Sequence, residues 1–114
     1  MTHSHKKALL HRYRNANKHV IDAQARSLLL HESINVTITR AKALRMVVEP
    51  LITIAKRHED SNNKLFHRLQ DGALVKKIQT QLAPRYSERA GGYTRIVRTH
   101  VRSDGTVMAQ IMFV

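Results

Sequence analysis

Residues 33–56 read SINVTITRAKALRMVVEPLITIAK, and this stretch decides the fold class. Its opening alternates: Ile34, Val36 and Ile38 stand against Asn35 and Thr37, the period of a strand buried on one face. The period then changes. Ala41, Leu44, Val47, Val48, Leu51, Ile52 and Ala55 recur at helical spacing, so a long amphipathic helix follows the strand directly. Thr39 offers an N-cap hydroxyl. Pro50 lies well inside this helix. It has no N–H to donate and its ring crowds the carbonyl four residues back, which predicts a kink near residues 46–50.

Working outward, Ile21, Ala25, Leu28 and Leu29 place one helical face over residues 18–31, with Asn17 as its N-cap. Beyond the long helix, Ser61 and Asn62 open a shorter one with Leu65, Phe66 and Leu69 on one face, and Phe66 and Phe113 are expected in the core. Asp71-Gly72 breaks that helix. Leu74, Val75, Ile78 and Leu82 mark another short helix, expected to stop before Pro84. A charged, turn-rich loop over residues 83–92 leads to a strand at 93–99. A second strand at 107–114 follows, with Ser103-Asp104-Gly105 as the hairpin turn between them. Val107, Ala109, Ile111 and Phe113 share one face of the last strand. The order is α, β, α, α, α, β, β, preceded by a basic segment. Three strands cannot close a barrel, so the expected fold is α+β, with helices on one face of a small three-stranded mixed sheet. Residues 1–16 are assigned to a basic N-terminal arm and 17–114 to a single domain.

Composition narrows the function. The 114 residues carry 20 Lys and Arg against 8 Asp and Glu, a formal charge of +12. No acid precedes Asp22, whereas Lys6, Lys7, Arg12, Arg14 and Lys18 do. The absence of cysteine excludes a disulfide scaffold, a cysteine-ligated zinc site and a thiol nucleophile. No apolar run reaches the roughly 20 residues that span a bilayer. The acids are scattered; the one adjacent pair, Glu59-Asp60, falls at a helix end. His31-Glu32 and His58-Glu59 lack the second histidine of a zinc-protease helix. His3-Ser4-His5 has too few companions for a structural metal. Ala90-Gly91-Gly92 lacks the Lys-Ser/Thr of a phosphate loop. Neither enzyme chemistry nor a cofactor is expected.

What remains is cationic surface. Arg40, Lys42, Arg45, Lys56 and Arg57 lie off the apolar face of the long helix. Arg85, Arg89, Arg95, Arg98 and Arg102 recur through the loop and hairpin, and Arg95 alternates with Ile96, so it points away from the core. Such a surplus self-repels unless a polyanion cancels it. The outward face of the long helix has no Asn/Gln cluster for reading base edges in DNA. Aromatics are 4% of the chain, too few for a single-strand stacking platform. Folded RNA, recognised by shape and phosphate, fits best. A free-standing nucleoid-type DNA-binding protein is the alternative.

Three segments carry a resemblance: LLLHESINVTITRAKALR at 28–45, VVEPLITIAK at 47–56 and LAPRYSERAGGYTRI at 82–96. In order and spacing they resemble the ribosomal protein L seventeen family of the bacterial-type large subunit, and the resemblance covers nearly the whole chain. It implies a non-enzymatic structural protein bound to large-subunit ribosomal RNA near the outer end of the polypeptide exit tunnel. Other ribosomal proteins lie beside it, with no membrane and no small-molecule substrate. The location it implies is the ribosome, in a bacterial cytoplasm or an organellar matrix. Arg89, Gly91, Gly92, Tyr93, Thr94 and Arg95 match the family pattern residue by residue. The amino end departs from it: Met1-Thr2-His3 stands where members open Met-Arg-His, and Ala16-Asn17 and Asp22-Ala23 stand where they carry His-Arg and Arg-Asn, although Arg12 keeps its place. The RNA-binding candidates are therefore Lys6, Lys7, Arg12, Arg14, Lys18, Arg40, Lys42, Arg45, Arg85, Arg89, Gly91, Gly92, Tyr93, Arg95 and Arg98.

Overall fold

A computed structural model describes residues 19–57 and 62–114. The arm assigned to 1–16, the Asn17 cap and the His58-Glu59 and Glu59-Asp60 pairs fall outside those residues. Residues 19–31 are helical (α1). They bury the expected face, with Ile21, Leu28 and Leu29 fully enclosed. The helix ends in a left-handed residue, Glu32 (φ 66°), whose N–H returns to the Leu28 carbonyl at 2.7 Å. Strand β1 (Ser33–Thr37) and helix α2 (Ile38–Arg57) follow without a loop.

The α2 cap lies two residues earlier than expected. Thr37 Oγ1, not Thr39, accepts from the Arg40 N–H at 3.3 Å, because Ile38 already turns into the helix. The helix is continuous through Pro50, which sits on its exposed side. Seven α2 residues, from Ala41 to Ile52, are buried at helical spacing.

Helix α3 (Asn62–Leu69) buries Leu65 and Leu69. Phe66 does not join them; it is 51% exposed, on a stripe of this short helix beside the one that Leu65 and Leu69 turn inward. Gln70 (φ 53°) closes α3 in the manner of Glu32. Asp71 caps α4 (Gly72–Lys77) through its carboxylate, which accepts from the N–H groups of Ala73 and Leu74. The helix then does not stop before Pro84 as expected. A π-helical turn (Ile78–Leu82) carries it into α5 (Ala83–Arg85). Proline in a regular helix clashes with the carbonyl four residues back. Here the Ala83 N–H reaches back five residues to the Ile78 carbonyl, and the widened turn accommodates the ring.

Strands β2 (Thr94–Val101) and β3 (Val107–Phe113) form the expected hairpin. Its turn is closed by the Gly105 N–H to the Arg102 carbonyl, with Gly105 left-handed (φ 87°). Asp104 accepts from the Thr106 N–H at 3.0 Å, which holds its carboxyl below the usual range. The sheet order is β1-β3-β2 and both pairings are antiparallel, so the sheet is not mixed. The reason is geometric: β1 adds to the free edge of β3, antiparallel to it, rather than lying beside β2. The α+β class stands.

The register places Ile34, Val36, Ile96, Ala109, Ile111 and Phe113 on one face, and these are the sheet residues that join α1, α2 and the later helices in a single hydrophobic core. Around its rim, the Glu32 carboxylate accepts from Arg85 at 2.5 and 3.3 Å and pairs with Lys77 at 3.3 Å. This ties the end of α1 to α4 and α5. The Arg85 hydrogen bond, outweighing desolvation, holds the Glu32 carboxyl below its ordinary value of 4.5.

Ile111 sits opposite both Ile34 and Ile96 and is fully buried. Ile111→Ala should cost about 2–5 kcal/mol by urea denaturation, whereas Val101→Ala, at a side chain 62% exposed, should stay within about 0.5 kcal/mol. A depressed carboxyl pKa stabilises the native state above the unfolded value and ceases to do so as pH falls through the native one. The gap in Tm between the native chain and Glu32→Gln should therefore be full at about pH 6 and shrink toward about pH 3.

Candidate nucleic-acid interface

The three sequence segments that carry the resemblance meet in space. Arg45, Glu49 and Lys56 stand at helical spacing along one stripe of α2, and that stripe faces the start of β2 and the loop ahead of it. One oxygen of Glu49, Oε2, accepts from both the Thr94 N–H (3.2 Å) and the Thr94 hydroxyl (2.6 Å). Arg45 Nε donates to the same hydroxyl oxygen at 3.3 Å and lies 3.9 Å from Glu49. Two turns along, Lys56 Nζ donates to the Arg89 carbonyl and to Tyr93 Oη, and rests 5.0 Å from the Tyr93 ring centre. That ammonium lowers the Tyr93 pKa from its ordinary value.

The loop between α5 and β2 is thus pinned at both ends. Tyr86 and Tyr93 turn inward, with ring centroids 5.2 Å apart, and Tyr86 Oη donates to the carbonyl of Val114 at 2.5 Å. Residues 87–92 between them are all exposed. Gly92 is left-handed (φ 63°), a conformation that disfavours any side chain, and it turns the chain into β2. Gly91 has open space around its α-carbon.

The candidates divide accordingly. Tyr93 is 2% exposed, so its ring is a core element rather than a surface for bases. Arg85 is committed to Glu32 and lies 5.8 Å from the Tyr86 ring. The Glu32 contact raises its already high pKa. Both residues therefore hold the loop in place. Arg89 presents its guanidinium outward, with only a 3.4 Å bond to the Gly92 carbonyl. Lys42 extends the α2 stripe by one turn and is exposed, while Arg40 is half-buried. Among the described residues neither has a carboxylate within 4.0 Å, and the same holds for Arg57, Arg95 and Arg98. Arg95 lies opposite Met112, on the sheet face away from the helices, as its alternation predicts. Arg98 lies opposite Ala109, on the other face. Lys6, Lys7, Arg12, Arg14 and Lys18 fall outside the described residues.

Glu49 and Thr94 were not among the candidates. The signal for them was faint: an acid at an inward position of an otherwise basic helix, and a threonine in register with buried strand residues. A second cationic place was also missed, a polar cavity of about 340 Å³ lined by His19, Asp22 and Arg26 of α1 and by His67 and Arg68 of α3. No cluster of three or more His, Cys, Asp or Glu suited to a metal occurs among the described residues. No described helix is long and apolar enough to cross a membrane.

Removing the Glu49 carboxylate leaves the Thr94 N–H and hydroxyl without their acceptor. Glu49→Ala should lower stability by about 1–3 kcal/mol in chemical denaturation. It should also speed amide hydrogen exchange at residues 89–94, because the loop loses one of its two anchors.

The whole described domain carries the pattern that the three segments suggested. A family model described as Ribosomal protein L17 matches residues 20–114, from α1 to the C-terminal strand. The geometry ties its segments together: residues 47–56 meet 82–96 through the Glu49–Thr94 and Lys56–Tyr93 contacts, and residues 28–45 meet 82–96 through Arg45–Thr94 and Glu32–Arg85. The chain belongs to the ribosomal protein L17 family and is a structural constituent of the large ribosomal subunit.

Proposed function

We propose that this chain binds large-subunit ribosomal RNA near the outer end of the polypeptide exit tunnel, packing against neighbouring ribosomal proteins and acting by phosphate neutralisation rather than catalysis. The observation that carries the reading is the exposed loop 87–92, tied to α2 by the Lys56 hydrogen bond to the Arg89 carbonyl and presenting the Arg89 side chain, with the exposed Lys42 farther along the same helix. Membership of the family supports the same partner. A preordered loop loses little entropy on docking, so each phosphate contact contributes more of its interaction energy to affinity. Arginine adds a planar two-pronged donor suited to phosphate oxygens. Arg40, Arg45 and Arg57 lie on the same helix and extend the positive field. The basic segment at residues 1–16 supplies further charge to the same partner.

The test is co-sedimentation together with binding to a large-subunit rRNA transcript across a salt series. The chain should travel with large subunits after DNA is digested. Each neutralised phosphate adds about 0.7–0.9 to the slope of log affinity against log salt. Lys42→Ala with Arg89→Ala should reduce that slope by about 1.5 while leaving the thermal melt nearly unchanged. Deleting residues 1–16 should reduce it further. Co-sedimentation with nucleoid DNA instead of ribosomes would overturn the reading in favour of a DNA-binding protein.

A further inference from the structure

The sheet has a second face, turned away from the described helices; Ser33, Thr37, Met108, Gln110 and Met112 on it are half-buried. The register sets Ser33, Met112 and Arg95 in one row across it, Asn35, Gln110 and Val97 in the next, and Thr37, Met108 and His100 in a third. None of the apolar residues on this face belongs to the core cluster or packs against it. Val97 is 43% exposed, and Arg95, Asn35 and His100 are exposed.

A β-bulge shapes this surface. The register of β2 slips between Arg98 and His100, so that Arg98 faces Ala109 and His100 faces Met108. Without the slip, His100 would fall on the helix-covered side. The extra residue brings it onto the same face as Arg95 and Val97. Arg95 and His100 then stand four β3 steps apart, about 13 Å along the strand. No row of this face contains an acid. Its uncharged polar side chains, Ser33, Asn35, Thr37 and Gln110, are short donors and acceptors, and Gln110 Nε2 is oriented by a 2.6 Å bond to Ser33 Oγ.

We propose that this open face is a second docking surface for RNA, taking the sugar–phosphate backbone of a double-helical segment. It rests on the rRNA-binding reading and adds to it a contact on the opposite side of the sheet from the helices. Charge selects a polyanion: the nine positions hold one arginine, with no acid partner among the described residues, and no carboxylate. The nine positions hold no Phe, Tyr or Trp and a single imidazole at one end, which is no stacking platform for successive unpaired bases and favours a duplex over a single strand. Short hydroxyl and amide side chains match phosphate oxygens and 2′-hydroxyls across a shallow groove. Met108, Met112 and Val97 fill the space between these polar contacts.

The experiment uses the full chain and a large-subunit rRNA transcript, with two readouts. Arg95→Gln combined with His100→Gln should weaken binding about tenfold at fixed salt and lower the salt slope by about 0.8. Hydroxyl-radical footprinting of the unsubstituted chain should show Met108 and Met112 oxidised in the free protein and protected in the complex. If the double variant binds with the original affinity and slope, and both methionines stay reactive in the complex, the face does not touch RNA. Protection of the methionines only after other large-subunit proteins are added would assign it to a protein neighbour and overturn the proposal. In both cases the rRNA-binding reading survives, because the transcript is still bound through the loop. Failure of the unsubstituted chain to bind the transcript at all would overturn both.

Discussion

The structure depends on a carboxylate where a basic protein can least spare one. Glu49 on α2 takes two hydrogen bonds from Thr94, the first residue of β2, and so fixes where the strand leaves the loop. A carboxylate accepting a backbone N–H and a hydroxyl from one residue specifies both position and direction, which apolar contact alone does not. Lys56 does the same for the far side of the loop through the Arg89 carbonyl and the Tyr93 hydroxyl. Between these anchors the loop keeps only Tyr86 and Tyr93 inside. Without the polar clamp it would have two aromatic contacts with which to offset the ordering entropy of its exposed residues.

Scarce acids make this economy general. Glu32 binds Arg85 and Lys77 where α1 meets the later helices, Asp71 caps α4, and Asp104 closes the hairpin. Each of these carboxylates, like Glu49, performs a folding task. The negative charge of the described domain is thus largely spent on its own frame. Lys42, Arg57, Arg89, Arg95 and Arg98, which have no ion pair among the described residues, are exposed and keep their field directed outward.

The elements with strong periodicity were legible in the sequence. Ile21 to Leu29, Ala41 to Ile52 and Ala109 to Phe113 each bury the residues that their spacing names, because one stripe or one face is all that a core can accept. The Ser103-Asp104-Gly105 turn was legible for a local reason, the need for a left-handed glycine. Strand order was not. Alternation tells which side of a strand is buried and says nothing of which neighbour it pairs with, so β1 beside β3 escaped detection. Phe66 escaped because an eight-residue helix offers several stripes and the core used the narrowest. Arg85 and Tyr93 read as surface residues for a further reason. Their partners, Glu32 and Lys56, lie 53 and 37 residues away in the chain. Composition marks an arginine as available; only the fold shows that it is already taken.

That distinction governs how the basic surface should be weighed. A count of Lys and Arg overstates the phosphate-binding capacity of a small domain, because some cations are internal braces. Arg85 and Lys56 are braces, and Arg45 is shared between Glu49 and Thr94. Neutralising a brace would loosen the loop and weaken RNA binding without having touched RNA. Neutralising Arg89 or Arg95 leaves the frame intact. A mutation that lowers both stability and affinity thus identifies a brace, and one that lowers affinity alone identifies a contact. The partition between them follows from geometry, since a guanidinium already bonded to a carboxylate must share or give up that partner to reach a phosphate and so has less to gain from one.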